Sequence, residues 1–174
     1  MHAPAHTMAP PLKHRSLSDF AAMSEPDTRA LLTLAHELQT ASQAGLNGRV
    51  LRGKNLALLC DTVDADGAAL FQRAASDMGA QVAHLRPSLS KFSTPQEVQH
   101  TARVLGRLYD ALDCVGMPPE LVRQIGVAAG VPVFEAMSSS RHPIARLAGQ
   151  LNGGATDADK RCALMQAVLL GALA

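Results

Sequence analysis

Short, continuously apolar segments alternate with helical patterns along this chain, and this alternation limits the fold more than any other feature. Four short segments read as strands, at 54–60, 81–85, 111–115 and 131–134, and the first of them has the continuous apolar character of a strand covered on both faces. Helical patterns surround them at 24–44, 68–78, 96–109, 118–129 and 142–151. This order predicts a three-layer α/β/α fold with a four-stranded parallel sheet and right-handed crossovers.

The two ends of the chain have different characters. Residues 1–13 hold several prolines and no apolar segment, so we interpret them as a flexible N-terminal tail. Residues 152–156 (NGGAT) read as a linker. The segment 157–174 predicts a last helix, with Asp157 as its cap, with Leu164, Val168 and Ala172 on one face and with Cys162, Met165 and Leu169 beside it.

Composition excludes several classes of function. The chain has 174 residues, a formal charge of +1 and 3% aromatic residues, which argues against nucleic-acid binding. No apolar run reaches the ~18 residues of a membrane span. The three cysteines, Cys60, Cys114 and Cys162, are far apart, which is typical of free thiols in a reducing cytoplasm and gives no zinc spacing. We predict a cytoplasmic protein of one domain, without a metal or cofactor.

Five segments, in one order, resemble ornithine carbamoyltransferases. Residues 51–58 (LRGKNLAL) resemble the family's LRGKNIAL, and residues 101–110 (TARVLGRLYD) resemble its TARVLGRMYD. Shorter matches are SLSDF at 16–20 with the opening KLSDF, AGVPV at 129–133, and His142-Pro143 with the start of HPTQ. The similarity spans 14–151 and implies the fold of the family's carbamoyl-phosphate domain.

The C-terminal segment extends this resemblance. Residues 161–173 (RCALMQAVLLGAL) resemble the helix that closes these enzymes and packs back on their first domain. The resemblance implies that the family's second domain, which binds the amino acid, is missing between 151 and 157. The alternative is an unrelated amphipathic helix.

The family's phosphate-binding motif is altered in this chain. Family members carry an STRTR turn after the first strand, where backbone N–H groups and two guanidinium groups surround a phosphate. The corresponding residues here run from Asp64 to Ala68, with Asp66 and Ala68 at the two arginine positions. Val115 stands where the family's EYRGF segment has its arginine. The remnant pocket is therefore expected to contain Asp64, Ala65, Asp66, Gly67, Val115 and His142.

Other family positions differ as well. Ala145 takes the place of the glutamine of HPTQ. In the loop that reaches a neighbouring subunit in family trimers, Ser90 is kept and Lys91 replaces a glutamine. The remaining pocket residues also have structural explanations, since Asp64 and Asp66 suit a helix N-terminus, and His142 suits a helix cap or a packing position.

We predict from these differences a truncated carbamoyltransferase-like protein without transfer activity, which acts as a structural or regulatory subunit. The expected partners are further copies in a homotrimer or a full-length carbamoyltransferase, with no nucleic acid and no membrane. One alternative is a module that binds an amino acid or cationic metabolite through Asp64, Asp66 and His142. Another is a residual carbamoyltransferase.

Overall fold

The computed structural model describes residues 17–60 and 65–174, and these form a four-stranded parallel sheet between two layers of helices. The predicted tail 1–13 and Asp64 lie outside the described residues. The strands are β1 (Asn55–Cys60), β2 (Gln81–Leu85), β3 (Ala111–Val115) and β4 (Val133–Glu135). The helices are α1 (Leu17–Ala21), α2 (Glu25–Gln43), α3 (Ala65–Asp77), α4 (Pro95–Leu108), α5 (Pro119–Ala129), α6 (Pro143–Arg146) and α7 (Asp157–Leu173).

Strand β1 shows why the sheet needs helices on both faces. Four consecutive residues, Leu56 to Leu59, are buried, and successive side chains point to opposite faces. Leu56 and Leu58 join a hydrophobic core that includes residues of α2, α3 and α7, whereas Ala57 and Leu59 join a second core with α4 and α5. This arrangement confirms the predicted three-layer fold.

The order of the strands creates a crevice at one edge of the sheet. The order is β2-β1-β3-β4, so the chain moves outward from β1 to β2 and then crosses back to β3. All neighbouring strands are parallel, and Cys60 at the end of β1 pairs with Val115 at the end of β3. The carboxyl ends of β1 and β3 therefore meet at the point where the connections diverge, which is where open α/β sheets bind ligands.

The last helix is more deeply buried than the sequence predicts. All eight residues from Cys162 to Leu169 are buried, so packing extends beyond the predicted apolar positions to Ala163, Gln166 and Ala167. Helix α7 packs against both α2 and α3. Its cap also differs from the prediction, because Thr156 and not Asp157 is the N-cap. The Thr156 hydroxyl accepts a hydrogen bond from the Asp159 N–H (3.1 Å), and the Asp159 carboxylate accepts from the Thr156 N–H (3.3 Å).

Three further boundaries differ from those predicted. Helix α3 begins at Ala65, three residues before the predicted start at 68. The predicted helix 142–151 is a single α-helical turn, α6, followed by a 3₁₀ segment at Leu147–Gln150. Strand β4 begins at Val133 and not at 131, because Gly130 adopts a left-handed conformation (φ 73°) and Pro132 has no N–H to donate.

Helices α4 and α5 approach each other closely at one glycine. A Cβ atom added to Gly106 would lie 1.8 Å from the carbonyl oxygen of Ala129, which is backbone that no rotamer change can move. Gly106 therefore fixes the distance between the two helices of this layer, and any side chain there would force them apart.

We expect Gly106→Ala to lower the free energy of unfolding by about 3 kcal/mol, because overpacking against backbone displaces both helices. Gly149→Ala is the matched control, since a Cβ atom there meets nothing within 4 Å. Urea unfolding of both variants measures the difference. Equal stabilities for the two variants would show that α4 and α5 do not pack as described.

Candidate functional site

The crevice between the carboxyl ends of β1 and β3 is where the structure brings most of the predicted pocket residues. Ala65 is the first residue of α3, and Asp66 is exposed in the first turn of that helix. Gly67, next in the same turn, is buried, and Val115 is the partly buried last residue of β3. Helix α3 starts at the edge where β1 ends, so its N-terminal turn and Val115 belong to the same edge of the sheet.

The charged residues around this crevice disfavour the binding of an anion. The sequence has no Lys, Arg or His between Lys54 and Arg73, or between Asp110 and Arg123. Asp66 already places a carboxylate in the first turn of α3, where the helix dipole favours negative charge. A phosphate brought to the same turn would be repelled by about 1 kcal/mol in water and by more in a partly buried site. Arg86, after edge strand β2, and Arg141 are exposed cations on neighbouring connections.

His142 is separated from solvent. Its side chain is 1% exposed and packs edge-on against Phe20, with 4.8 Å between the ring centroids. Its Nδ1 accepts a hydrogen bond from the N–H of Ile144 (3.2 Å), so His142 is the N-cap of α6. The structure thus shows the helix-capping and packing arrangement that the sequence analysis considered, and the ring does not face an open pocket.

Burial and capping together determine the protonation state of His142. Burial lowers its pKa from 6.5 to about 4, so the ring is neutral at pH 7. Because Nδ1 accepts a hydrogen bond, the proton lies on Nε2, which has no hydrogen-bond partner among the described residues. The ring therefore keeps one buried donor that the surrounding protein leaves unused.

Asp113 organises the turn that follows β4, and the sequence analysis gave it no role. Its buried carboxylate accepts hydrogen bonds from the N–H groups of Met137 (2.8 Å) and Ser138 (3.0 Å). The preceding residue, Ala136, has a left-handed backbone (φ 54°), which is unfavourable for a residue with a Cβ atom. Burial nevertheless raises the pKa of Asp113 to about 6. The signal of this role that the sequence offers is a single charged residue inside the otherwise apolar strand ALDCV.

Cys114, near this edge, is not an activated nucleophile. Cys114 is buried in β3, and burial, together with the charges of Asp113 and Glu135, raises the pKa of its thiol. Cys60, at the end of β1, is partly buried and forms no disulfide. A reactive cysteine needs a lowered pKa and access to solvent, and Cys114 has neither.

Within residues 17–60 and 65–174, no three His, Cys, Asp or Glu side chains form a group that would hold a metal ion. None of the helices in these two ranges has the length and apolar character needed to cross a membrane.

Comparison with known proteins gives one consistent family. The family described as aspartate/ornithine carbamoyltransferase, carbamoyl-P binding domain, matches residues 15–151. The chain is 35% identical over 144 residues to the catabolic ornithine carbamoyltransferase of Haemophilus influenzae, and 36% identical to the ornithine carbamoyltransferase of Actinobacillus pleuropneumoniae serotype 5b. Each alignment covers 83% of this chain and 43% of the relative, so the chain spans less than half the length of these proteins.

Solved structures agree with this result. Ornithine carbamoyltransferase from Gloeobacter violaceus is 28% identical with a TM-score of 0.59, covering 79% of this chain and 43% of that one. The enzyme from Pyrococcus furiosus has a TM-score of 0.66 at 24% identity, covering 82% of this chain and 45% of that one. The second comparison supports the fold alone.

Two buried groups at this edge make opposite contributions to the pH dependence of stability. The lowered pKa of His142 destabilises the fold as pH falls from 6.5 to about 4, because only the unfolded state takes up the proton readily. The raised pKa of Asp113 stabilises the fold as pH falls from about 6 to 3.8, because the native state takes up the proton first. Each effect amounts to about 3 kcal/mol, so the two largely cancel.

We expect His142→Asn to separate these effects. Asparagine keeps an oxygen to cap α6 but does not titrate. As the pH is lowered from 6.5 to 4, the free energy of unfolding of the variant should therefore rise relative to that of the wild type by about 3 kcal/mol. Urea unfolding at a series of pH values measures this difference. His100→Asn, on the exposed face of α4, is the control and should follow wild type. A stability difference between His142→Asn and wild type that is constant with pH would contradict the prediction.

Proposed function

Because the chain belongs to the aspartate/ornithine carbamoyltransferase family, we propose that it is a form of the carbamoyl-phosphate-binding domain that does not transfer carbamoyl groups. It acts instead as a structural or regulatory subunit, through association with copies of itself or with a carbamoyltransferase. The observation that carries this proposal is the lack of basic residues along β1, the first turn of α3 and the end of β3, where the crevice lies.

A phosphate site in this crevice would need cations at the end of β1, in the first turn of α3 and at the end of β3, where the sequence has none. The family's motif combines a helix N-terminus with guanidinium groups, and arginine also stabilises the charge that develops on a departing phosphate. Here Asp66 and Ala68 occupy the corresponding positions in α3, and apolar Val115 ends β3. The helix N-terminus alone contributes about 1 kcal/mol, which the carboxylate of Asp66 offsets.

His142, the remaining residue of the predicted pocket, does not replace these cations. His142 is neutral and buried against Phe20, so it offers no positive charge to a phosphate. Its burial also weakens the alternative of an amino-acid or metabolite site that combines Asp64, Asp66 and His142, because the His142 ring is not accessible to a ligand. Association is therefore the function that we favour.

We further propose that α7 corresponds to the closing helix of the family and that residues 152–156 join it directly to the first domain. The family match ends at residue 151, and α7 begins six residues later. Its continuous burial against α2 and α3 supports this correspondence, because a helix that completes the core of the domain can be kept when the amino-acid-binding part is not.

Association is supported by the loop between β2 and α4. The side chain of Phe92 is 84% exposed, and the Lys91 ammonium lies 5.0 Å from the centre of its ring. The loop is held in shape by Ser90, whose hydroxyl accepts the N–H of Phe92 (3.1 Å). An exposed aromatic side chain on an ordered loop is typical of an interface anchor, and we propose that it contacts a neighbouring subunit in a homotrimer.

We also propose a cytoplasmic location. Cys60, Cys114 and Cys162 are all unpaired, as is usual for proteins in a reducing compartment.

We expect isothermal titration of the full chain with carbamoyl phosphate to give no saturable heat at millimolar ligand. Binding with a micromolar dissociation constant would overturn the non-catalytic assignment. The variant Asp66→Arg, Ala68→Arg, Val115→Arg restores the three cations of the family pattern, and it should gain affinity for phosphate by about tenfold or more, since each charge-assisted contact contributes about 1.5 kcal/mol or more.

We expect Phe92→Ser to weaken self-association, because it removes the apolar anchor from the loop. Sedimentation equilibrium at tens of micromolar protein should show a trimer for the wild type and a shift toward monomer for the variant. Leu46→Ser is the control, since Leu46 is 73% exposed in a different loop. A monomeric wild type would overturn the trimer, and equal effects of the two variants would show that Phe92 is not the anchor.

A further inference from the structure

A cleft of about 170 Å³ lies between α2, α3 and α7, away from the crevice described above. Helix α3 begins at the carboxyl edge of the sheet and leads into β2, so its second half, with Arg73 and Asp77, lies toward the opposite edge. Ala155 of the linker contributes to the wall. The short connection between residue 151 and α7 therefore forms part of the wall of the cleft.

The polar lining of this cleft includes an amide with unused hydrogen-bonding capacity. Gln39 is 5% exposed, and its Nε2 donates to the carbonyl oxygen of Asn152 over a long 3.4 Å. Because the amide nitrogen makes this contact, the amide oxygen Oε1 points elsewhere. Oε1 is buried and receives no hydrogen bond from the described residues. A buried acceptor without a donor costs about 1–3 kcal/mol, so a donor placed beside it would be stabilised.

The charged residues of the cleft favour a cation. Arg73 donates to the Asp159 carboxylate (2.6 Å) and lies 3.8 Å from the carboxylate of Asp77. The Arg73 hydrogen bond holds the pKa of Asp159 below its usual range, so the Asp159 carboxylate is charged at neutral pH. Two carboxylates against one guanidinium leave the cleft with a net charge of −1.

The other lining groups are consistent with this charge. Ser42 and Gln43 of α2 add oxygens that accept hydrogen bonds. Gln166 is engaged with the structure itself, because its Nε2 donates to the carbonyl oxygen of Ala74 (3.2 Å). Burial raises the pKa of the Cys162 thiol to about 11, so this cysteine offers neither charge nor a nucleophile to a ligand.

We propose that this cleft binds a small organic ammonium ion, whose N–H groups donate to Gln39 Oε1 and whose charge is balanced by Asp77 and Asp159. Its volume limits the ligand to a short chain, since a cavity of about 150 Å³ holds a molecule of the size of benzene. The site shares no residue with the carboxyl-edge crevice, so it is independent of the proposed function, and carbamoyl phosphate binding and butylamine binding are measured separately.

The proposal is tested on the full chain with butylamine as the probe, using calorimetry at pH 7.5 and low ionic strength. Butylamine should bind with a dissociation constant of about 1 mM or tighter, whereas uncharged 1-butanol and anionic butyrate should not. Asp77→Asn should weaken binding about fivefold by removing one charge. Gln39→Met, which keeps the side-chain length and removes the acceptor, should weaken it further.

Glu37→Gln removes an exposed carboxylate from the same helix, α2, and serves as the matched control that leaves affinity unchanged. Thermal unfolding of each variant without ligand confirms that it is folded before its affinity is compared. Three results would overturn the site: no saturable heat with butylamine, equal binding of butylamine and 1-butanol, or wild-type affinity in both Asp77→Asn and Gln39→Met.

Discussion

Strands β1, β3 and β4 of the parallel sheet are largely buried, and each face of the sheet needs its own layer of helices. Two cores result, one between the sheet and α4 and α5, the other between the sheet and α2, α3 and α7. Seven of the eight consecutive buried residues of helix α7 belong to the core that it shares with α2 and α3. Although the family match ends at residue 151, the core of the domain does not, because α7 covers apolar surface that would otherwise face water.

Sequence patterns located the strands well and the helix ends less well, for physical reasons. Strands β2 and β3 begin and end where predicted, because an apolar run bounded by turn residues is a local signal. The start of β4 was misplaced because Val131 and Val133 look alike in sequence, and the missing N–H of Pro132 decides between them. At α7, both Thr156 and Asp157 are good caps, and only the reciprocal hydrogen bonds with Asp159 distinguish them.

The candidate site was only partly predictable. Asp66, Gly67 and Val115 reach one edge of the sheet, because the carboxyl ends of neighbouring parallel strands meet there. The roles of His142 and Asp113 depend on contacts that sequence alone does not give, with Phe20 for the first and with the backbone of Met137 and Ser138 for the second. At this edge the side chains of Asp113 and His142 accept hydrogen bonds from backbone N–H groups and so hold the backbone in place.

One carboxylate connects the start of the last helix with its packing. Asp159 accepts hydrogen bonds from Thr156 through one oxygen, and through the other it accepts from Arg73 of α3. The carboxylate that caps the first turn of α7 therefore also holds this turn against α3. A first turn that forms away from α3 lacks the Arg73 contact, and a docked segment without the turn lacks the Thr156 contacts. Formation and docking of α7 thus reinforce each other, so the segment joins the domain as one cooperative unit.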